Sequence, residues 1–390
     1  MPFHHTQRHI PLPIHGQGIF VFESQSPAIF FIYNKHENDG LRVEFTQKKV
    51  LVTEVYSNKT LNDPSNKEGL STNPAAFYWF SLDSQNQTLM AGIGEPRLET
   101  VTYTYGFSKS EDNKKFLESM AAIEIPRNSL TLRALSLIKD PVTSTVPLYV
   151  KHTDDLNMLD IANGNVMPSA NLSQVNQKLY NCISGKKFVL DDTDFPDFSK
   201  AIEYSIATPG LWCNTRLKEK ANEFSKDKPN ILETYLRITL GQNNGESPGI
   251  PYVMEIWPPA HYSPIHSHAA ANAVIRVLHG QIHVNLYPFL GAEEAFGSAD
   301  FKKDDVTWIG PGLNQVHMLS NVKTQTCVTI QTYMYDETNK GHYDYFDYLD
   351  EKGAKKQYEP DSDMDFVQFK ALMKKEWLAR HTSRCFSYWS

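Results

Sequence analysis

Between residues 18 and 107 the chain is a succession of short β-branched and aromatic runs, each closed by polar turn residues. GIFVFES (18–24), AIFFIYN (28–34), LRVEF (41–45) and VLVTEVYS (50–57) are separated by Ser-Pro, Asn-Asp-Gly and Lys-Lys. AAFYWFSL (75–82), TLMAGIG (88–94) and ETVTYTYGF (99–107) continue the series. Runs of this length and spacing are too short for helices and read as strands of an antiparallel sandwich. The 21 Phe and 19 Tyr among 390 residues are enough for sizeable cores, and a chain of this length is expected to form about two or three domains.

Residues 151–200 are more polar, rich in Asn, Asp and Ser, and read as containing a linker. The expected division is a β-sandwich domain over 1–175, whose role the sequence leaves open, and a second domain over 176–390. Residues 76–95, AFYWFSLDSQNQTLMAGIGE, resemble modules named after farnesoic acid O-methyltransferase, and the resemblance implies a β-sandwich. After the linker, Asp194 or Asp197 is positioned to cap a short helix over 198–207, and Thr215 a second over 216–225. Strands return over 230–337. Near the C-terminus, Phe366, Phe369, Leu372 and Trp377 have the spacing of an amphipathic helix.

Net charge is −7, which argues against general nucleic-acid binding. No apolar stretch approaches the roughly 20 residues that span a bilayer, and the first residues contain no apolar signal-peptide core. Cys182, Cys213, Cys327 and Cys385 are far apart and form no C-x-x-C pair. The expectation is a cytoplasmic chain that binds neither membrane nor nucleic acid. The sequence leaves the oligomeric state open.

Among the 14 histidines one arrangement stands out, in WPPAHYSPIHSHAAANAVIRVLHG (257–280). His266 and His268 are two apart, which on a strand puts both imidazoles on one face, where they can hold a transition metal or stand solvated at an edge. Gly280 follows where a turn would begin the alternating strand QIHVNLY (281–287). WIGPGLNQVHMLSN (308–321) then brings Pro-Gly and His317, and CVTIQTYMY (327–335) reads as another strand. This order of features resembles the cupin fold, which implies a C-terminal β-barrel of jelly-roll type with a few flanking helices in a mainly β protein.

Most metal-binding cupins carry a glutamate where this chain has Ala273. What remains is a three-histidine set, His266, His268 and His317, and that set resembles the thiol dioxygenases, cysteine dioxygenase in particular. Trp257, nine residues before His266, matches the family's motif tryptophan, and ETYLRITL (233–240) resembles its Tyr-x-Arg strand. The resemblance covers about 230–350. It implies Fe(II) on the three histidines, a small carboxylate-bearing thiol such as L-cysteine, and O2 as co-substrate. It also implies that Arg237 grips the substrate carboxylate, that Tyr235, Trp257 and Gln331 line the substrate, and that Tyr333 is the phenol beside the metal.

Two departures stand out. The family's Ser-His-Tyr set reads Thr329, Gln331, Tyr333 here, and Gln can hydrogen-bond the phenol but cannot relay protons as imidazole does. Ala273 excludes the cysteine–tyrosine crosslink of animal members. Arg237 could instead pair with a surface carboxylate, and Trp257 and Tyr333 could be ordinary core residues, with Cys327 an inert buried thiol. The rival functions are 3-mercaptopropionate or another thiol as substrate, and a non-catalytic metal- or ligand-binding cupin.

Overall fold

A computed structural model describes residues 9–36, 38–66, 68–126, 133–224, 228–242, 247–268, 270–336, 346–350 and 352–380. The fold is mainly β and separates into two compact units, 1–146 with 288–296, and 147–287 with 297–390. Among the described residues no helix is long and apolar enough to cross a membrane. Cys182, Cys213 and Cys327 are free thiols, and Cys385 lies outside the described residues.

The first unit is a sandwich of a six-stranded and a five-stranded antiparallel sheet. Its strands follow the runs read from sequence, for example Gln17–Glu23, Ala28–Asn34 and Phe77–Asp83. Alternation sends Phe20, Phe22, Tyr78 and Phe80 into the core between the sheets, where they meet Phe30 and Phe45. Phe22 and Phe45 pack edge to face with centroids 4.9 Å apart. On the opposite face of the five-stranded sheet, Ile19 and Trp79 are covered by Val142. The segment 288–296 belongs to this unit, where the Asn73 amide donates to the Gly291 carbonyl at 2.8 Å.

The second unit is built on β1 (Leu236–Gln242), β2 (Ser247–Trp257), β3 (His266–Ser267), β4 (Asn272–His279), β5 (Gln281–Tyr287), β6 (Gly297–Lys302), β7 (Val306–Ile309), β8 (Val316–Ser320), β9 (Cys327–Met334) and β10 (Phe346–Leu349). One sheet contains the order β7-β4-β9-β2-β1 and the other β6-β5-β8-β3-β10. From β2 to β9 the chain changes sheet at every connection except the β5–β6 hairpin. Eight strands threaded this way form a jelly roll, the double-sheet architecture of cupins. Gly280 makes the β4–β5 turn at φ +71°, and a Cβ there would lie 2.4 Å from the Thr326 carbonyl oxygen, so only glycine fits.

The unit boundary falls near residue 147, earlier than the polar composition suggests. Tyr149–Lys151 extends the first sheet by pairing with β7, and Val166–Pro168 pairs with it in parallel. Helix Phe198–Ala207 forms as its spacing predicts, although Asp197 supplies no side-chain cap. Instead Asp191 accepts from the Ser199 amide at 2.7 Å. The next helix, Trp212–Phe224, starts before Thr215. Its first amides donate to Glu376 at 2.9 Å and to the Ser205 hydroxyl at 3.0 Å, so tertiary partners replace the expected cap. The C-terminal helix is Phe366–Ala379, and it buries Phe369 and Met373.

A chain begun at residue 176 would lose both extra strands, and with Ser173 it would lose the N-cap of helix Gln174–Ile183. That cap alone is worth about 1 kcal/mol. A fragment starting at residue 147 should therefore unfold at a clearly higher temperature by calorimetry than one starting at 176. Equal melting temperatures would show that residues 147–175 add nothing to the jelly roll.

Candidate metal centre in the jelly roll

The three histidines meet because β3 and β8 pair with His266 directly opposite His317. His268 lies just beyond the end of β3, where a tight turn bends it back. The turn closes with the Ala271 amide donating to the His268 carbonyl at 3.0 Å, and Ala270 sits at φ +64°. Gln315 pins this turn: its side-chain oxygen accepts from the Ala270 amide at 3.0 Å, and its NH2 donates to the Ala271 and Gly310 carbonyls at 2.8 and 2.7 Å. The result is a cluster in which one ligand atom of each of the three imidazoles lies within 4.8 Å of the others.

The tautomers of His266 and His317 suit a metal. His266 Nδ1 lies 3.1 Å from the Pro264 carbonyl and His317 Nδ1 3.3 Å from the Asn314 carbonyl. A carbonyl only accepts, so each Nδ1 carries the proton and each Nε2 presents a lone pair. His317 Nε2 is 3.2 Å from His268 Nε2. Burial holds all three below the ordinary imidazole value: His266 at about 4, His317 at about 3, with His266 adding to the depression, and His268 well below, with help from His317, His266 and Arg237. Neutral imidazoles converging on one point can hold a metal ion, and among the described residues no carboxylate belongs to the cluster.

Beside the cluster is a cavity of about 680 Å3 between the two sheets. Tyr235, Trp257, Gln331 and Tyr333 line it together with the three histidines, so the structure gathers these sequence-predicted residues in one place. Tyr333 is opposite Ala273 across β9 and β4, and its ring stacks near His268 with centroids 6.0 Å apart. Tyr235 stacks on Trp257 at 4.4 Å, and the ammonium of the buried Lys220 lies 4.9 Å from the Tyr235 ring.

Arg237 is placed differently from the sequence expectation. It is buried and does not line the cavity, and in the β1–β2 register it is directly opposite Glu255. Its guanidinium meets the Glu255 carboxylate at 3.2 Å, and it also donates to the Tyr333 hydroxyl. Sequence reading missed Glu255, although alternation from Trp257 two residues later puts it on the cavity-facing side of β2. Burial raises the Glu255 pKa against the opposing pull of Arg237, Gln331, Lys220 and Trp257. The Gln331 amide therefore faces Glu255, whereas the sequence reading matched it with the phenol. Neither Gln331 Nε2 nor Trp257 Nε1 completes a hydrogen bond of good geometry.

Further out, Asp363 also escaped the sequence reading. It accepts from Lys220 Nζ at 2.9 Å, Arg216 Nε at 2.8 Å and the Arg237 backbone amide at 2.7 Å, anchoring β1. Cys327 is buried, and burial pushes its thiol pKa up, as suits an inert core residue.

No protein-family model matches the chain, and no curated protein does. Solved structures similar to it include the cupin domain of Cnp3 from Schizosaccharomyces pombe, at 17% identity and a TM-score of 0.22 over 26% of this chain and 65% of that one. A cupin domain of an XRE family transcriptional regulator from Enterobacter cloacae aligns at 12% identity and 0.22, over 26% of this chain and 98% of that one. Oxalate oxidase in complex with glycolate aligns at 17% identity and 0.23, over 28% and 54%. The chain thus spans less than two thirds of the first and the last of these.

Two predictions follow from the cluster. Removing the Gln315 side chain releases the His268 turn, and loss of such support typically costs 10–100-fold in metal affinity. Gln315→Ala should weaken binding of a divalent metal by about that factor in a competitive-chelator titration, and an unchanged affinity would exclude the pinning role. The depressed imidazole pKa values also link stability to pH. Unfolded histidine titrates near 6.5, so the folded chain binds fewer protons below that value. This contribution is complete above about pH 6.5 and is lost as pH falls toward the folded values of about 4 and about 3. The melting temperature of the metal-free chain should fall steeply between pH 7 and pH 4, and His317→Ala should flatten that slope.

Proposed function

We propose that this chain is a non-haem Fe(II) thiol dioxygenase, taking a small thiol and O2 to the sulfinic acid. The observation that carries this reading is a set of three neutral imidazoles with no carboxylate among the described residues joining them, set beside the buried Tyr333–Arg237 pair. The residues that would hold the iron are His266, His268 and His317. Bound there, Fe(II) would supply an open position for the thiol sulfur and the electron transfers that O2 chemistry requires. The overall change is RSH + O2 → RSO2H: the O–O and S–H bonds break, two S–O bonds form, the proton ends on the sulfinic acid, and sulfur gives four electrons to the oxygen.

The chain's own residues bind and orient. Burial and the nearby Glu255 hold the Tyr333 phenol pKa well up, so it keeps its proton and serves as a hydrogen-bond donor rather than an acid. Arg237, donating to that phenol, fixes where it stands. Trp257 and Gln331 form part of the wall on which the thiol would rest, and the apolar lining limits water at the reacting sulfur. L-cysteine and 3-mercaptopropionate are the thiols the Tyr-x-Arg likeness implies, and either would have to compete with Glu255 for Arg237.

Iron-loaded protein should consume one O2 per thiol, and 18O2 should label both sulfinate oxygens. His317→Ala should lose the iron and the uptake together. Tyr333→Phe should retain iron and lose about 10²-fold in kcat, the usual cost of one aimed donor. Disulfide or peroxide as the product would overturn the dioxygenase reading.

A further inference from the structure

The wall beside the metal cluster contains a cation that the fold itself has already neutralised. Arg237, Glu255, Thr329 and Val277 form one row across β1, β2, β9 and β4. Within that row the guanidinium and the carboxylate face each other at 3.2 Å, each side chain only 7% exposed. The guanidinium also holds the Tyr333 hydroxyl. Behind this pair a second one, Lys220 with Asp363, is more deeply buried, with side chains 2% and 1% exposed. Within each of these two pairs the charges offset one another, so neither Arg237 nor Lys220 is an open cation.

Of the Arg237–Glu255 pair, Glu255 is the member that lines the cavity. Of this pair, a ligand carboxylate beside the metal cluster faces the anion and not the cation; the lysines of the cavity lining, Lys352 and Lys356, belong to a different part of the chain. To reach Arg237 it must share the guanidinium with Glu255 or displace it, and a displaced Glu255 would be a buried charge without its partner. The rest of the cavity is largely apolar. Ile275 and Val277 come from one sheet, and Ile282, Val284, Leu286 and Leu319 from the other. A pocket of about 680 Å3 lined in large part by apolar side chains has room for a ligand with an apolar body.

We infer that Glu255 is a specificity-determining residue that fills the carboxylate place with the chain's own carboxylate, and that the substrates are uncharged thiols with an apolar substituent. This rests on the thiol dioxygenase reading for its chemistry and on the Arg237–Glu255 geometry for its selectivity.

The test compares butane-1-thiol with 3-mercaptopropionate, ligands of similar length that differ in charge. Full-length protein loaded with Co(II) is titrated anaerobically with each thiol, following the cobalt–thiolate absorption. The iron form is assayed separately by O2 uptake. In the wild type, butane-1-thiol should bind at least tenfold more tightly and show the higher kcat/KM. Glu255→Gln should shift the ratio toward 3-mercaptopropionate by tenfold or more, through KM rather than kcat, and Glu255→Asp should keep the wild-type order. If Glu255→Gln does not fold, the wild-type and Glu255→Asp dissociation constants decide. Tighter binding of 3-mercaptopropionate by the wild type, or a ratio unmoved in a folded Glu255→Gln, overturns the inference. Binding in the expected order with no O2 uptake by the iron form would overturn the dioxygenase reading and leave the selectivity of the site upheld.

Discussion

The second unit depends on the register of one strand. Cys327–Met334 is buried along its whole length, between Ser247–Trp257 on one side and Asn272–His279 on the other. A strand's side chains alternate, so a slip of one residue would turn Thr329, Gln331 and Tyr333 out of the cavity and Val328, Ile330 and Thr332 into it. The register observed puts Glu255 opposite Thr329 and Ala273 opposite Tyr333. The helix Gln174–Ile183 packs on this strand and its neighbour, and Asn176 donates to the Ile309 carbonyl at 2.9 Å, tying the cover to the sheet. The polar wall of the cavity is thus a consequence of strand pairing.

The interior sets a histidine cluster that could hold a metal beside buried charges that are paired with one another. Imidazoles kept neutral by burial can act as ligands, and the positive Arg237 disfavours protonation of His268. Arg237 is itself paired with Glu255, and Lys220 with Asp363. Buried pairs of this kind contribute little net stability, because desolvation offsets the attraction, but breaking one is costly. Their value here is positional. Asp363 fixes the backbone of Arg237, Arg237 fixes Glu255 and the Tyr333 hydroxyl, and Lys220 braces the Tyr235–Trp257 stack.

Much of this was legible in the sequence because strand alternation and short-range spacing are local properties. The aromatic runs before residue 107 gave the strands of the sandwich, the H-x-H with a distant histidine gave the cluster, and Gly280 marked a turn that only glycine can make. Helix starts were less legible. The first amides of Trp212–Phe224 bond to Ser205 and to Glu376, a residue far along the chain, so no local capping residue was needed. The boundary near residue 147 was hidden for a similar reason. Polar composition marks solvent exposure, but Tyr149–Lys151 is held by pairing with a strand more than 150 residues later.

The amino-acid sequence by itself determined the strand content, the faces on which the histidines, Tyr333 and Trp257 would lie, and the absence of a glutamate at Ala273. The tertiary structure alone decided what Arg237 does. Its position on a strand is compatible with an open cation or a paired one, and the difference lies in which residue stands across from it. That residue is Glu255, from the neighbouring strand, and its carboxylate meets the guanidinium only because β1 and β2 pair in this register. Periodicity fixes the face a side chain occupies, whereas its partner is set by how distant segments come together, and a buried charge takes its chemistry from that partner.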